Sequence, residues 1–319
     1  MRHRRRLRRR RIAYALTVLS IATLTGVSVM GPSPTRDTAS ASSEPLLMIG
    51  KAHPAESFPA AGGKKPIFVL VLGSDSRSKQ WPVIQHGRSD VMHVVGINPK
   101  KGCATMLGFP RDSWVNVAGH GTTKINEAMY FDGPQGAITE IETLTGIHLD
   151  YWALTSFWNF KNLVHDLGGV DVVVPYPMDD PYSKAHFKEG KQHMSGYEAL
   201  AFARDRHDPP TGDFGRSFNQ GTLLLSLLTD FQQAFKQNPA SMLDWLGAGI
   251  RNTKTDVPYD ELVQLGFLAT EVPVGRVTNF VVPGTTGMVG DASVVHISPS
   301  AESMYEDLGA DGCIAGEKT

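Results

Sequence analysis

The chain has 319 residues, 41% of them hydrophobic and 20% charged, enough for one large domain or two ordinary ones with a sizeable core. Its formal net charge is −1, but residues 1–11 hold eight arginines and no acid, which leaves 23 basic against 32 acidic residues beyond them. An acidic body excludes a generally basic nucleic-acid binder and leaves room for a local anion site.

Residues 1–11 read as a basic cytoplasmic tail. Residues 12–30, IAYALTVLSIATLTGVSVM, form an uncharged run. At helical rise it would span about 28 Å, close to a bilayer core. The basic flank keeps the N-terminus cytoplasmic and sends the body outward. A cleaved signal peptide is the rival reading. The length of the run and its distance from AXA-like sites near Thr38 and Ser42 favour an uncleaved signal-anchor helix. Residues 31–65 are rich in Pro, Ser, Ala, Thr and Gly, and read as a flexible linker. The folded domain is expected over residues 66–319.

Residues 66–72, PIFVLVL, predict a buried strand that empties into Gly73-Ser74-Asp75-Ser76-Arg77. Polar turns at the C-terminal ends of buried strands are where open α/β sheets place ligands. Gly87-Arg88-Ser89-Asp90 precedes a second strand over 91–97. A turn at Asn98-Pro99 leads to a third strand over 103–109, its hairpin partner, which ends in Pro110-Arg111-Asp112. Cys103 and Cys313 are too few for a disulfide framework or a cysteine-rich zinc site; one disulfide and two free thiols both fit. A helix is expected over 136–144, stopped by Gly146, then a strand over 150–154. An amphipathic helix over 157–167 ends at Gly168-Gly169, and a further strand covers 170–174. This alternation points to an α/β layer arrangement.

Residues 175–193 read as an irregular insertion, a lid or a surface loop. Ser195-x-x-Glu198 has the form of a capping box and opens a short helix through Ala203. That helix delivers Arg204 and Arg206 into a polar loop that also holds His207, Asp213 and Arg216. A long apolar helix is expected over 220–235, its N-terminus beside Arg216, where backbone N–H groups favour phosphate. Helices over 241–250 and 259–270, a strand over 277–282, a turn over 285–290 and frayed residues after Ser298 complete the chain.

The charged groups fall at strand and helix ends: Asp75, Asp90 and Asp213, with Arg77, Arg88, Arg111, Lys124, Arg204, Arg206 and Arg216. Guanidinium forks bind phosphate oxygens bidentately. Two aspartates could hold magnesium, which takes oxygen ligands and substrate phosphates. The arginines could neutralise charge on a pyrophosphate, and the remaining aspartate could accept a proton from an attacking hydroxyl. No Walker A pattern, GxSxG elbow or HExxH pattern occurs, which argues against a P-loop NTPase, an α/β-hydrolase and a zinc peptidase.

The ordered motifs VLGSDSR (71–77), GRSD (87–90), FPRD (109–112), KIN (124–126), LTG (144–146), LGGV (167–170), GYEALAFARDR (196–206) and GDFGRSFNQ (212–220) resemble the LytR–CpsA–Psr family across residues 66–236. The resemblance implies a mixed central β-sheet between helical layers (three-layer α/β/α) with an apolar lipid groove. It also implies a single N-terminal transmembrane helix. By the same resemblance the chain is a magnesium-dependent phosphotransferase at the cell membrane, its catalytic domain outside. Its partners would be a polyprenyl-pyrophosphate-linked glycopolymer and a peptidoglycan acceptor, with no nucleic acid. Asp75 and Asp90 match the metal-associated positions. Arg88, Arg111, Lys124, Arg204, Arg206, Arg216 and Gln220 match pyrophosphate-binding positions. Asp213, Arg204 and Arg206 are the expected catalytic residues. Asn219 departs from the arginine-glutamine pair common in the family. Alternatives are a lipid-pyrophosphate pyrophosphatase and a non-catalytic polyprenyl-phosphate-binding or regulatory envelope protein.

Overall fold

Ile67–Ser74 (β2) alternates its side chains between two buried faces: Phe68, Leu70 and Leu72 on one, Ile67 and Val69 on the other. A strand apolar on both sides must lie inside a sheet covered by helices on both faces. The computed structural model bears this out and describes residues 45–54, 65–208, 211–240, 245 and 253–314. The expected basic tail and membrane span, and all of the expected 241–250 helix except Trp245, lie outside the described residues. Among those described, no helix is long and apolar enough to cross a membrane.

The central sheet has seven strands. Leu47–Lys51 (β1) is followed by β2, Ser89–Asn98 (β3), Cys103–Gly108 (β4), Tyr151–Ser156 (β7), Thr253–Thr255 (β12) and Val277–Val281 (β13). Their spatial order is β12-β1-β7-β2-β3-β4-β13. β2 pairs in parallel with β7 and antiparallel with β3, and β3 and β4 form the expected hairpin. The sheet is therefore mixed. The β2–β3 register slips at Gly73 and Ser74, so the chain bends where Asp75 begins.

β1 corrects the linker expected over residues 31–65. Its pattern LMIGK buries Met48 and Gly50 and pairs with β7 through Met48 to Lys51, so the folded part begins before Pro66. Five residues, with three apolar ones in a row and then Gly50 and Lys51, show no strand alternation and are too short a signal to separate from a linker.

One helical layer holds Glu127–Thr145 (α2) and Ala301–Asp311 (α7); Trp81–Ile84 (α1) closes the same core. α2 is two helical segments joined by a kink at Asp132 and Gly133, whose backbone is not helical; the second contains the expected 136–144 helix, and the first, from Glu127, was not expected. Gly146 closes it at φ 68°, a left-handed cap that favours glycine. α7 corrects the expected fraying after Ser298. Tyr305 and Leu308 are buried, and Cys103 is disulfide-bonded to Cys313, tying the helix end to the start of β4 across 210 residues.

The other layer is Asp213–Gln237 (α5) and Tyr259–Glu271 (α6), which cover the opposite face through Leu224, Leu225, Leu228, Leu262 and Leu268. α5 begins seven residues before the predicted start. A second core joins α5 to Phe157–Asp166 (α3), Gly196–Arg204 (α4) and Val170–Val174 (β8). The Ser195–Glu198 capping box is formed as expected.

The irregular insertion is instead built from short strands. Met178–Asp180 (β9) pairs with Ala185–Phe187 (β10), and Gly190–Met194 (β11) pairs with β8. The turn expected over 285–290 is a hairpin of Gly284–Val289 (β14) with Ala292–Ile297 (β15). Trp114–Val117 (β5) and Gly121–Lys124 (β6) form a further hairpin.

Candidate active site

β2 and β7 run in parallel and both end at one edge, where β3 begins. That edge is the switch point at which neighbouring connections diverge and leave a crevice. Ser156, the last residue of β7, caps α3 by accepting the Asn159 N–H at 3.3 Å. α4 delivers Arg204 from its last residue, and α5 delivers Arg216 from its first turn. The three helices and the sheet edge enclose a cavity of about 370 Å³.

Six of the ten expected site residues line it: Asp90, Arg111, Arg204, Arg206, Arg216 and Gln220. The remaining wall is mixed: Val71, Leu72, Val91, Phe157, Phe160, Leu200, Leu223 and Leu224 form its apolar part, and Thr155, Ser156, Asp180, Tyr182, Ser183 and His207 its polar part. A cavity with guanidinium groups at one part and aliphatic and aromatic walls elsewhere suits an amphipathic anion with an apolar tail.

The other four expected residues surround this cavity without lining it. Asp75 accepts the Arg88 backbone N–H at 3.0 Å. Burial and then the charge of Asp90 raise the Asp75 carboxyl above its ordinary pKa. Arg88 is exposed and donates to Glu127 at 3.1 Å. Lys124 pairs with Asp112 at 2.9 Å. Asp213 pairs with Arg216, and its other oxygen accepts the Asp112 N–H at 3.5 Å. Arg77 is exposed and off the cavity wall.

The cations are not equivalent. Arg111 bonds to Asp90; burial opposes its charge, but the Asp90 carboxylate prevails and raises the guanidinium above its ordinary value. Arg216 is buried, and burial lowers its pKa against the opposing charge of Asp213. Arg204 is exposed, with its guanidinium carbon 5.1 Å from the centre of the Phe157 ring. Among the described residues Arg204 and Arg206 pair with no carboxylate, and both face the cavity, so they can meet an incoming anion without first leaving another one.

Gln220 lines the cavity and also braces its wall. Its amide nitrogen donates to the carbonyls of Asp90 at 3.2 Å and Ala203 at 3.1 Å. Both amide hydrogens are thereby used, and Gln220 braces β3 against α4. Asn219 is buried, donates to the Tyr176 hydroxyl at 2.9 Å and does not line the cavity.

Sequence reasoning missed Asp112, which links Arg111, Lys124 and Asp213. It stood in the recognised PRD turn, but the turn alone gave it no partner. His93 was also missed. It is fully buried, and its Nε2 lies 3.1 Å from the Ser217 carbonyl, seating α5 on β3. Gly108 allows that approach: a Cβ there would lie 2.4 Å from Ser217 Oγ.

The hard oxygen donors Asp75 and Asp90 fit a magnesium ion. Burial first, and then the Asp90 charge, raise the Asp75 carboxyl, and a cation beside it would oppose both.

The fold and this edge define a mixed α/β domain with a cavity lined by four arginines and an apolar patch. The LytR_cpsA_psr family model matches residues 35–308, and the chain belongs to that family. It is 30% identical over 249 residues to the Bacillus subtilis protein named polyisoprenyl-teichoic acid–peptidoglycan teichoic acid transferase TagV. That match covers 76% of this chain and 62% of the relative, so the chain spans about three fifths of its length. The crystal structure of B. subtilis TagV is similar at a TM-score of 0.66 and 28% identity, covering 77% of this chain and 96% of that one. TagT with bound octaprenyl pyrophosphate lipid shares the fold at a TM-score of 0.58 and 21% identity, over 79% and 91% of the two chains.

Proposed function

We propose that this chain transfers a glycopolymer from a polyprenyl-pyrophosphate carrier to a peptidoglycan hydroxyl. The observation that carries the reading is the joining of Arg111, Arg204, Arg206 and Arg216 with an apolar wall in one cavity. Support comes from TagV, whose name gives polyisoprenyl-linked teichoic acid as donor and peptidoglycan as acceptor. TagT, of the same fold, has a solved structure with bound octaprenyl pyrophosphate lipid.

In this reading the polyprenyl chain lies against Phe157, Phe160, Leu200, Leu223 and Leu224. Arg204 and Arg206 receive the pyrophosphate first. Arg216 then exchanges Asp213 for phosphate oxygens, which frees the Asp213 carboxylate to accept a proton. The acceptor hydroxyl oxygen forms a bond to the phosphorus that carries the glycan. The bond from that phosphorus to the bridging oxygen breaks, and lipid phosphate leaves. The hydroxyl proton passes to Asp213. Arg111 and the freed guanidinium groups stabilise charge on the phosphoryl oxygens and on the leaving phosphate. Magnesium, held by Asp75 and Asp90, would supply further charge neutralisation at the pyrophosphate.

The same reading places the domain outside the membrane, anchored by residues 12–30. The Cys103–Cys313 disulfide supports an oxidising compartment.

The test incubates the protein with a lipid-pyrophosphate-linked saccharide and peptidoglycan oligomers, with and without magnesium, and identifies products by mass. A glycan–phosphate–peptidoglycan adduct, lost in Arg204→Ala, is the expected result. Lipid phosphate without adduct would make the protein a pyrophosphatase. Binding without turnover would make it a lipid-binding protein.

A further inference from the structure

The opposite end of β7 carries a second cluster of coordinating side chains. His53 follows β1, Glu142 stands on the last turn of α2, and His148 lies in the turn that leads into β7. Their three ligand atoms all lie within 4.8 Å of one another. His53 Nε2 is 2.9 Å and His148 Nδ1 is 3.4 Å from the same Glu142 oxygen, Oε1. The two imidazole rings are stacked, with centres 4.3 Å apart and planes inclined by 14°.

Each part of this cluster is held by the fold. Glu142 Oε1 also accepts the Leu149 N–H at 2.8 Å, which fixes the carboxylate against the turn carrying His148. The Ala52 N–H donates to the Asp150 carbonyl at 3.0 Å, which fixes the backbone next to His53. Side-chain exposures of 29%, 21% and 55% for His53, Glu142 and His148 leave the cluster open to solvent on the His148 side. An ion can therefore enter, and water can complete its coordination.

We propose that His53, Glu142 and His148 bind a divalent transition-metal ion, zinc by preference, which staples the segment after β1 to the end of α2. Two imidazole nitrogens and one carboxylate oxygen are borderline donors that suit zinc and leave magnesium poorly served. In a tetrahedral zinc site, donor atoms sit roughly 3.3 Å apart, a spacing that follows from zinc–ligand bonds of about 2.0–2.1 Å. The observed 2.9 Å and 3.4 Å separations bracket that value. Binding converts two nitrogen donors into lone-pair ligands: each neutral ring moves its N–H to its other nitrogen. No proton need be released while both rings are neutral and the carboxylate is ionised. Acid that protonates the rings competes with the ion.

This site is separate from the cavity. Thr155 and Ser156 at the C-terminal end of β7 line the cavity, whereas His148 precedes Tyr151 at its other end. Six strand residues put roughly 20 Å between those ends. The ion would act as a structural clip on β1, which sits between β7 and the edge strand β12.

The test uses the untagged full chain, freed of metal by a chelator and dialysis. Zinc chloride is titrated by calorimetry, cobalt chloride is followed by its visible absorption, and melting is recorded with zinc, with magnesium and without metal. The expected result is one tight zinc equivalent and a rise in Tm that magnesium does not reproduce. His53→Ala and His148→Ala should each weaken zinc binding by at least about tenfold, the least that loss of a supporting group costs a metal site. Circular dichroism without metal confirms that the variants fold. Absence of tight zinc binding, or full binding retained in both variants, overturns the assignment. Neither outcome bears on glycopolymer transfer.

Discussion

His93 gives the most direct test of how the sheet holds α5. The neutral ring donates from Nε2 to the Ser217 carbonyl at 3.1 Å, and Nδ1 is buried without a hydrogen-bond partner. Protonation would place a second N–H at Nδ1 with no acceptor. Burial, partly opposed by the Ser217 carbonyl, lowers the pKa from 6.5 to about 4. In the unfolded chain the ring takes its proton near the ordinary value. The folded state therefore binds fewer protons, and stability falls as pH drops from 6.5 toward 4. The full loss is about 3 kcal/mol, of which about 2 kcal/mol is already gone at about pH 5. Above about pH 7 the contribution is fully present. Urea unfolding of the parent and of His93→Gln at pH 7 and pH 5 measures this. Carboxylate titrations are shared by both proteins, so the difference between their losses isolates His93. The parent should lose about 2 kcal/mol more than the variant. Equal losses in the two proteins would refute the reasoning.

Three further outcomes follow from particular contacts. Asp213→Ala leaves buried Arg216 without its carboxylate and should cost about 3 kcal/mol in chemical denaturation, with Asp213→Asn costing less. Arg204→Ala removes an exposed cation from the cavity, and should lower kcat/KM by about 100-fold while leaving Tm nearly unchanged. Reducing the Cys103–Cys313 bond, or Cys103→Ser, should lower unfolding stability by about 2–5 kcal/mol, because the bond closes a loop of 210 residues.

Much of the fold was legible because β2, β3 and β4 are continuous apolar runs bounded by turn chemistry. The Ser195 capping box and the Gly146 stop likewise act within a few residues. β1 and α7 were not legible, since each is defined by what it packs against: β7 for the former, the Phe109 and Leu107 core and the disulfide for the latter. α5 was read too short because Gly215, Ser217 and Asn219 are weak helix formers, and tertiary burial of Arg216, Ser217, Asn219 and Gln220 overrides that propensity.

The site showed the same division. Residue types and their order placed Asp90, Arg111, Arg204, Arg206 and Arg216 together. They could not show that Asp213 holds Arg216, or that Gln220 spends both amide hydrogens on backbone carbonyls. Such pairings join segments far apart in sequence and are decided only when the helices dock.

Arg216, Gln220, Leu223 and Leu224 occupy positions i, i+4, i+7 and i+8 of α5, and all four face the cavity. The helix is thus a ruler graduated from a charged mark to an apolar one, about 12 Å long at helical rise. In the proposed transfer reaction, headgroup position and lipid seating cannot drift independently, because one rigid rod carries both. Inserting a single residue after Gln220 would rotate the leucines about 100° away from the cavity while leaving Arg216 in place. In that reaction a change of side-chain size along this wall would alter the seating of the lipid without moving Arg216.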